Sequence, residues 1–216
     1  VIVNGAGYDD WAQKLLSAQG RPGRRVLTVA TLLGQSTGDN PHFWYDPSYV
    51  ARVVARITAD YRSLDPGQAA YFTSRAAALD AAFAPYRARL AGIRARFAGT
   101  PVAATESIFV DMAQYLHLDL VTPYPFMKAV AEGGDPPAGA EATFVRQIRG
   151  KSFDVLVYNS QTITPLTTGI KAQTAAQHIP VIGVSETMPP GTTFEAWMTG
   201  ELDALASGLA SGRANR

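Results

Sequence analysis

The stretch DPGQAAYFTSRAAALDAAFAPYRARLAGIRARF, residues 65–97, decides the fold of this chain. It opens with Asp65-Pro66, which predicts a helix start because Asp accepts from free backbone N–H groups and Pro fits the first helical position. Apolar residues then recur at alternating steps of four and three, which places them on one stripe of a helix. The stripe consists of Phe72, Ala76, Leu79, Phe83, Tyr86, Leu90, Ile93 and Phe97. We predict one long helix here, and Pro85 is expected to bend it or divide it in two.

Strands and helices alternate on both sides of this stretch. Before it, residues 1–3 and the β-branched run at 24–33 predict strands. Residues 8–16 predict a helix with Trp11, Leu15 and Leu16 turned inward. After it, helical segments separate further predicted strands. These strands lie at residues 101–105, 118–122, 154–158 and 179–184. Such alternation predicts an α/β fold with parallel sheets.

The position of the long helix predicts two α/β lobes that it joins. We expect an N-terminal lobe at residues 1–65, the helix at 66–98 and a C-terminal lobe at 99–216. The Asp-Pro pair recurs at Asp46 and at Asp135, and each pair predicts a further helix start.

Composition excludes several classes of function. The 216 residues carry a net charge of +1, so there is no electrostatic case for nucleic-acid binding. With no cysteine, the chain has no disulfide, no thiolate metal site and no Cys nucleophile. No apolar run reaches the roughly 18 residues of a membrane span. The GQSTG sequence at residues 34–38 matches a nucleophile elbow, but no helix start follows it, which argues against a serine hydrolase.

Polar side chains follow several predicted strands, where open parallel sheets bind their ligands. His42 lies in the loop after residues 24–33, Glu106 directly follows 101–105, and Glu186 comes shortly after 179–184. One imidazole and two carboxylates could converge on one cation in the cleft between the lobes. The spacing alone also fits a second interpretation, in which His42 is a packed loop residue and both Glu side chains stabilise helix N-termini.

Two amide side chains follow the strand predicted at residues 154–158. Asn159 and Gln161 are expected to satisfy backbone groups of their loop rather than to contact a ligand.

Residues 40–47, NPHFWYDP, resemble the D-P-H-x-W-x-D-P signature of the metal-binding solute receptors of bacterial zinc and manganese ABC importers. The resemblance continues in family order over nearly the whole chain. It includes VIVNGAGYDDWAQKLL at residues 1–16, ATESIFVDMAQYLHL at 104–118 and VIGVSETMPPGTTFEAWM at 181–198. The fold that this resemblance implies is two α/β lobes joined by one long helix, in agreement with the periodicity.

The resemblance implies a metal site in which His42 is the second ligand, Glu106 the third and Glu186 the fourth. The fourth ligand of the family is usually Asp, so Glu186 is one methylene longer than the pattern. The first ligand, a His, would lie upstream of Val1, and we therefore expect that this sequence lacks the N-terminal part of its protein. The His-rich loop of many zinc-specific members is also absent. The remaining ligands suit Zn²⁺, Mn²⁺ or Fe²⁺, with water in the vacant position.

The function implied by the resemblance is that of an extracytoplasmic solute-binding protein, periplasmic or anchored to the outer face of the membrane. It would capture a divalent transition metal as cargo, zinc first and manganese second, and deliver it to an ABC importer permease. We expect a monomer without catalytic activity. Two alternatives belong to other classes: a metal-dependent hydrolase that uses the same ligands with water at the open position, and a surface adhesin on the same scaffold.

Overall fold

The computed structural model describes residues 1–214, and the chain divides into two compact units, Val1–Ala78 and Leu79–Arg216. Each unit contains a parallel β-sheet with helices in the connections, so the predicted α/β class with parallel sheets is confirmed. The finer division into residues 1–65, 66–98 and 99–216 stays a prediction.

The first unit contains a short two-stranded sheet. Strand β1 (Ile2–Val3) pairs in parallel with β2 (Leu27–Thr28), and helix α1 (Asp10–Ala18) connects them. Helix α2 (Val29–Leu33) follows β2 directly, and a 3₁₀ turn (Phe43–Tyr45) leads into helix α3 (Pro47–Leu64). Asp46 starts α3 as predicted, because its carboxylate accepts from the backbone N–H groups of the first turn.

Two predictions for the first unit are wrong. Residues 24–33 do not form one strand, because the partner strand β1 is only two residues long and the chain turns helical at Val29. Val29, Ala30 and Leu33 are then buried with helical spacing, together with Phe43. Trp11 and Leu15 of α1 do not face inward; they are 67% and 58% exposed.

The long helix predicted at residues 65–97 is divided at Phe83. A 3₁₀ turn (Pro66–Gln68) precedes helix α4 (Ala69–Ala82), and helix α5 follows at Ala84–Phe97. Pro85 has no N–H to donate, yet Phe83 keeps right-handed helical backbone angles, φ −78° and ψ −5°. The interruption is therefore confined to about one residue. In the part of the chain that the structure describes, the side chain of Asp65 makes no cap hydrogen bond, so its predicted role as an N-cap is wrong.

The second unit is organised around a four-stranded parallel sheet with the order β4-β3-β5-β6. The strands are β3 (Pro101–Ala104), β4 (Asp119–Leu120), β5 (Leu156–Asn159) and β6 (Val181–Val184). Each of the four overlaps a predicted strand segment, and the ends agree to within two residues. The helices are α6 (Val110–Tyr115), α7 (Tyr124–Ala131), α8 (Ala138–Arg149), α9 (Pro165–Ala176) and α10 (Phe194–Ala214). Helix α7 was not predicted, and α8 begins after Pro137 rather than at Asp135.

The core of the second unit is large and mostly aromatic and aliphatic. Phe126, Phe144, Phe153, Leu156 and Ile170 belong to one buried cluster. Helix α10 packs against α5 and comes so close to the segment that precedes β5 that a Cβ at Gly212 would overlap the carbonyl oxygen of Asp154. Among the described residues, no helix has both the length and the apolar character needed to cross a bilayer.

Candidate metal centre

Three polar side chains of the second unit lie at the carboxyl edge of its sheet. Glu106 follows β3, Asn159 is the last residue of β5, and Glu186 follows β6. These strands are parallel neighbours, so their carboxyl ends meet at one edge and the middle strand places Asn159 between the two carboxylates. The topology therefore brings together the two acidic residues that the sequence predicts as ligands.

Asn159 connects the two carboxylates directly. Its side-chain Nδ2 donates to Oε1 of Glu106 at 2.7 Å and to Oε2 of Glu186 at 3.0 Å. Its Oδ1 accepts from the backbone N–H of Gln161 at 2.9 Å, which is the loop role expected from the sequence. The contact with both carboxylates was missed, because no sequence pattern shows which side chains of separate strands meet.

Glu106 is buried, with 2% of its surface exposed. Burial raises the pKa of this carboxyl above its ordinary value, hydrogen bonds from Asn159 and Thr162 lower it, and the charge of Glu186 raises it again. The net direction of the pKa is upward. A raised pKa is the signature of a buried acid that would be stabilised by a proton or by a cation.

The loop that carries Glu186 is anchored on helix α10. The carboxylate of Glu201 accepts from the backbone N–H of Ser185 at 2.8 Å and from Nε1 of Trp197 at 2.7 Å. Because Ser185 immediately precedes Glu186, this contact fixes the backbone from which the Glu186 side chain departs.

His42, the predicted nitrogen ligand, belongs to the first unit and is 4% exposed. Its Nδ1 lies 2.7 Å from Oδ1 of Asn40, and its ring meets the edge of Trp44 with centroids 5.4 Å apart. An amide oxygen can only accept, so Nδ1 is the donor in this contact. An oxygen partner on the second ring nitrogen is typical of a histidine that binds a metal.

Within the second unit, the structure brings Glu106 and Glu186 together through Asn159. Within the first unit, it holds His42 against Asn40 and Trp44. The assignment of these three residues as ligands of one ion stays a prediction. Two carboxylates and a neutral imidazole form a donor set that suits borderline divalent ions such as Zn²⁺ or Mn²⁺.

Several solved structures of metal-binding proteins have a similar fold. The SBP FpvC from Pseudomonas aeruginosa, in complex with Mn²⁺, is 19% identical with a TM-score of 0.72 over 97% of this chain and 79% of its own. The periplasmic zinc binding protein TroA from Treponema pallidum is 16% identical with a TM-score of 0.75 over 96% and 79%. The Cd-bound periplasmic metal binding protein from Candidatus Liberibacter asiaticus is 14% identical, with a TM-score of 0.73 over 96% and 79%.

Residues 1–208 match the family described as zinc-uptake complex component A, periplasmic, and the chain belongs to this family. The class of receptor that the NPHFWYDP signature predicts is therefore confirmed, as is the α/β fold. No curated protein sequence matches the chain.

Proposed function

We propose that this protein captures one divalent transition metal ion with His42, Glu106 and Glu186 and delivers it, as a monomer outside the cytoplasm, to the permease of an ABC importer. The observation that carries this proposal is the pair of acidic side chains that share one amide donor at the carboxyl edge of the sheet. A receptor needs to bind its cargo, and this arrangement supplies two carboxylate ligands.

Charge explains why the pair favours a divalent cation. Two carboxylates held against the same amide repel each other, and the charge of Glu186 contributes to the raised pKa of Glu106. A divalent ion neutralises both charges, so that the loaded site is neutral and suited to burial. A monovalent ion would leave one negative charge uncompensated.

Zinc is the first candidate and manganese the second. Zn²⁺ is typically bound by four ligands drawn from His nitrogen, carboxylate oxygen and water, whereas Mn²⁺ favours more oxygen ligands. The family description names zinc uptake, TroA is described as a zinc binding protein, and FpvC was solved with Mn²⁺. These descriptions apply to those proteins and support the same choice here.

The hydrolase alternative gains no support from the contacts of the two carboxylates. The side chains described as donors to Glu106 are Asn159 and Thr162, an amide and a hydroxyl, and neither is a general base. No specific observation favours the adhesin.

The test is a competitive titration of the demetallated protein with Zn²⁺ and Mn²⁺ against a chelating dye. We expect His42→Ala, Glu106→Ala and Glu186→Ala each to weaken zinc binding by more than the roughly 10- to 100-fold typical of outer-shell residues. Glu132→Ala is the matched control, because Glu132 is an exposed acid of the second unit. Unchanged zinc affinity in the His42 and Glu106 variants would contradict the proposal.

A further inference from the structure

Asn159 is held in one orientation by three hydrogen bonds and is 1% exposed. Both hydrogens of its amide go to carboxylates, and its oxygen accepts a backbone N–H. A flipped amide would direct its oxygen at two acidic groups and its NH₂ at another donor. The side chain therefore has a single satisfactory position, which in turn fixes where the two carboxylates can sit.

Gln161 extends this connection to the residue that follows Glu186. Its Oε1 accepts from the backbone N–H of Thr187 at 2.8 Å, and its Nε2 donates to Oγ1 of the same residue at 2.8 Å. Its own backbone N–H is the donor to Asn159. The two amides, named here the amide bracket, thus join the loops that follow β3, β5 and β6.

The bracket consists of neutral groups, which matters at a cation site. A Lys or Arg in place of Asn159 would also hold two carboxylates, but its positive charge would compete with the metal ion. An Asp would add a third negative charge and offers no hydrogen to donate at neutral pH. An amide holds both acids while leaving their full charge for the cargo.

We infer that Asn159 and Gln161 are positioning residues that hold Glu106 and Glu186 as a preformed chelating pair before the metal arrives. This inference rests on the proposed metal-binding function and deepens it. The affinity of the site would then depend on the bracket, because less ordering of the ligands is needed at the moment of binding.

The test compares zinc affinity and thermal stability of Asn159→Ala, Gln161→Ala and a control, Gln173→Ala. Gln173 is an exposed residue of α9. We expect Asn159→Ala to weaken zinc binding by about 10- to 100-fold, as for other outer-shell residues. Gln161 is exposed, so its replacement should leave the fold intact while weakening zinc binding by about 2- to 10-fold. Gln173→Ala should change neither quantity.

A double variant separates positioning from a general structural role. In the Glu186→Ala background, Gln161→Ala should have little further effect on zinc affinity, because the carboxylate that the bracket positions is gone. An equal loss in both backgrounds would overturn the inference, as would zinc affinity in Gln161→Ala equal to that of the unaltered chain. Failure of the unaltered chain to bind zinc or manganese would overturn the proposed function and this inference with it.

Discussion

The two units of this protein use apolar residues very differently. In the second unit, Tyr86, Leu90, Ile93 and Phe97 of helix α5 are each exposed by only 1–2%. In the first unit, Trp11, Leu15, Tyr61 and Leu64 are each about half exposed or more. Both sets recur with helical spacing, so the spacing alone does not decide burial. The difference lies in what surrounds each helix: four parallel strands and α10 in the second unit, two short strands in the first.

The apolar surface of the first unit includes a groove of about 530 Å³ beside its sheet. Ile2, Leu27 and Ile57 line this groove, with Arg24 and Arg56 among the charged residues that complete the lining.

The predicted ligands of the two units also differ in what holds them. The two carboxylates of the second unit are linked through a strand of the central sheet, whereas His42 is held by its own short loop.

The largest expected effect tests the contrast in burial. Leu90→Ala in α5 should lower the free energy of unfolding by about 2 to 5 kcal/mol, because it leaves a cavity in a packed core. Leu15→Ala in α1 should change it by no more than about 0.5 kcal/mol, since that side chain is largely exposed. Urea denaturation of both variants measures the difference. Equal losses would show that the two helices are equally packed in solution.

A smaller effect tests the two helix starts of the first unit that look alike in sequence. Asp46→Ala should cost about 1 kcal/mol, because the carboxylate of Asp46 caps α3. Asp65→Ala, at the other Asp-Pro pair, serves as the control. It should leave the free energy of unfolding nearly unchanged, since the side chain of Asp65 makes no cap hydrogen bond in the described part of the chain. Thermal melts of the two variants decide the point, and a larger loss for Asp65→Ala would reverse our assignment.

The smallest effect concerns the pH dependence of the metal-free protein. The pKa of Glu106 is raised in the folded state, so between its ordinary value of 4.5 and the raised value the folded chain binds more protons than the unfolded one. Stability contributed by this group is therefore present at low pH and lost as pH rises through that window. Glu106→Gln, which stays neutral, should melt at a higher temperature than the unaltered metal-free protein at neutral pH.

Melting temperatures at several pH values, recorded with a strong chelator present, provide the measurement for Glu106→Gln. The advantage of the variant should shrink as pH falls, because the native carboxyl then takes up its proton. The addition of zinc should reverse the order, since binding stabilises only the chain that keeps the ligand. A variant that melts below the unaltered chain at neutral pH would contradict the burial argument.

Much of this structure could be predicted from local patterns. The stripe from Phe72 to Phe97 predicts helix at nearly all of its positions, and the ends of strands β3 to β6 agree with the predicted segments to within two residues. Glu106 and Glu186 are predicted as ligands because they follow strands, and the parallel order of β3, β5 and β6 places both at one edge. The helices and strands depend on the periodicity of residues that are close in sequence. The location of the two Glu residues depends on the rule that ligands bind at the carboxyl ends of parallel strands.

Other features were decided only by tertiary structure. The run at residues 24–33 turns helical at Val29 because its partner strand is short. Trp11 has the spacing of a buried helical residue, yet its side chain is exposed in the folded unit. The role of Asn159 depends on three strands meeting, so that one amide reaches two acids that are 53 and 27 residues away in sequence. Local periodicity determines which elements form, whereas burial and long-range hydrogen bonds depend on which elements become neighbours, and that is decided only when the chain is folded.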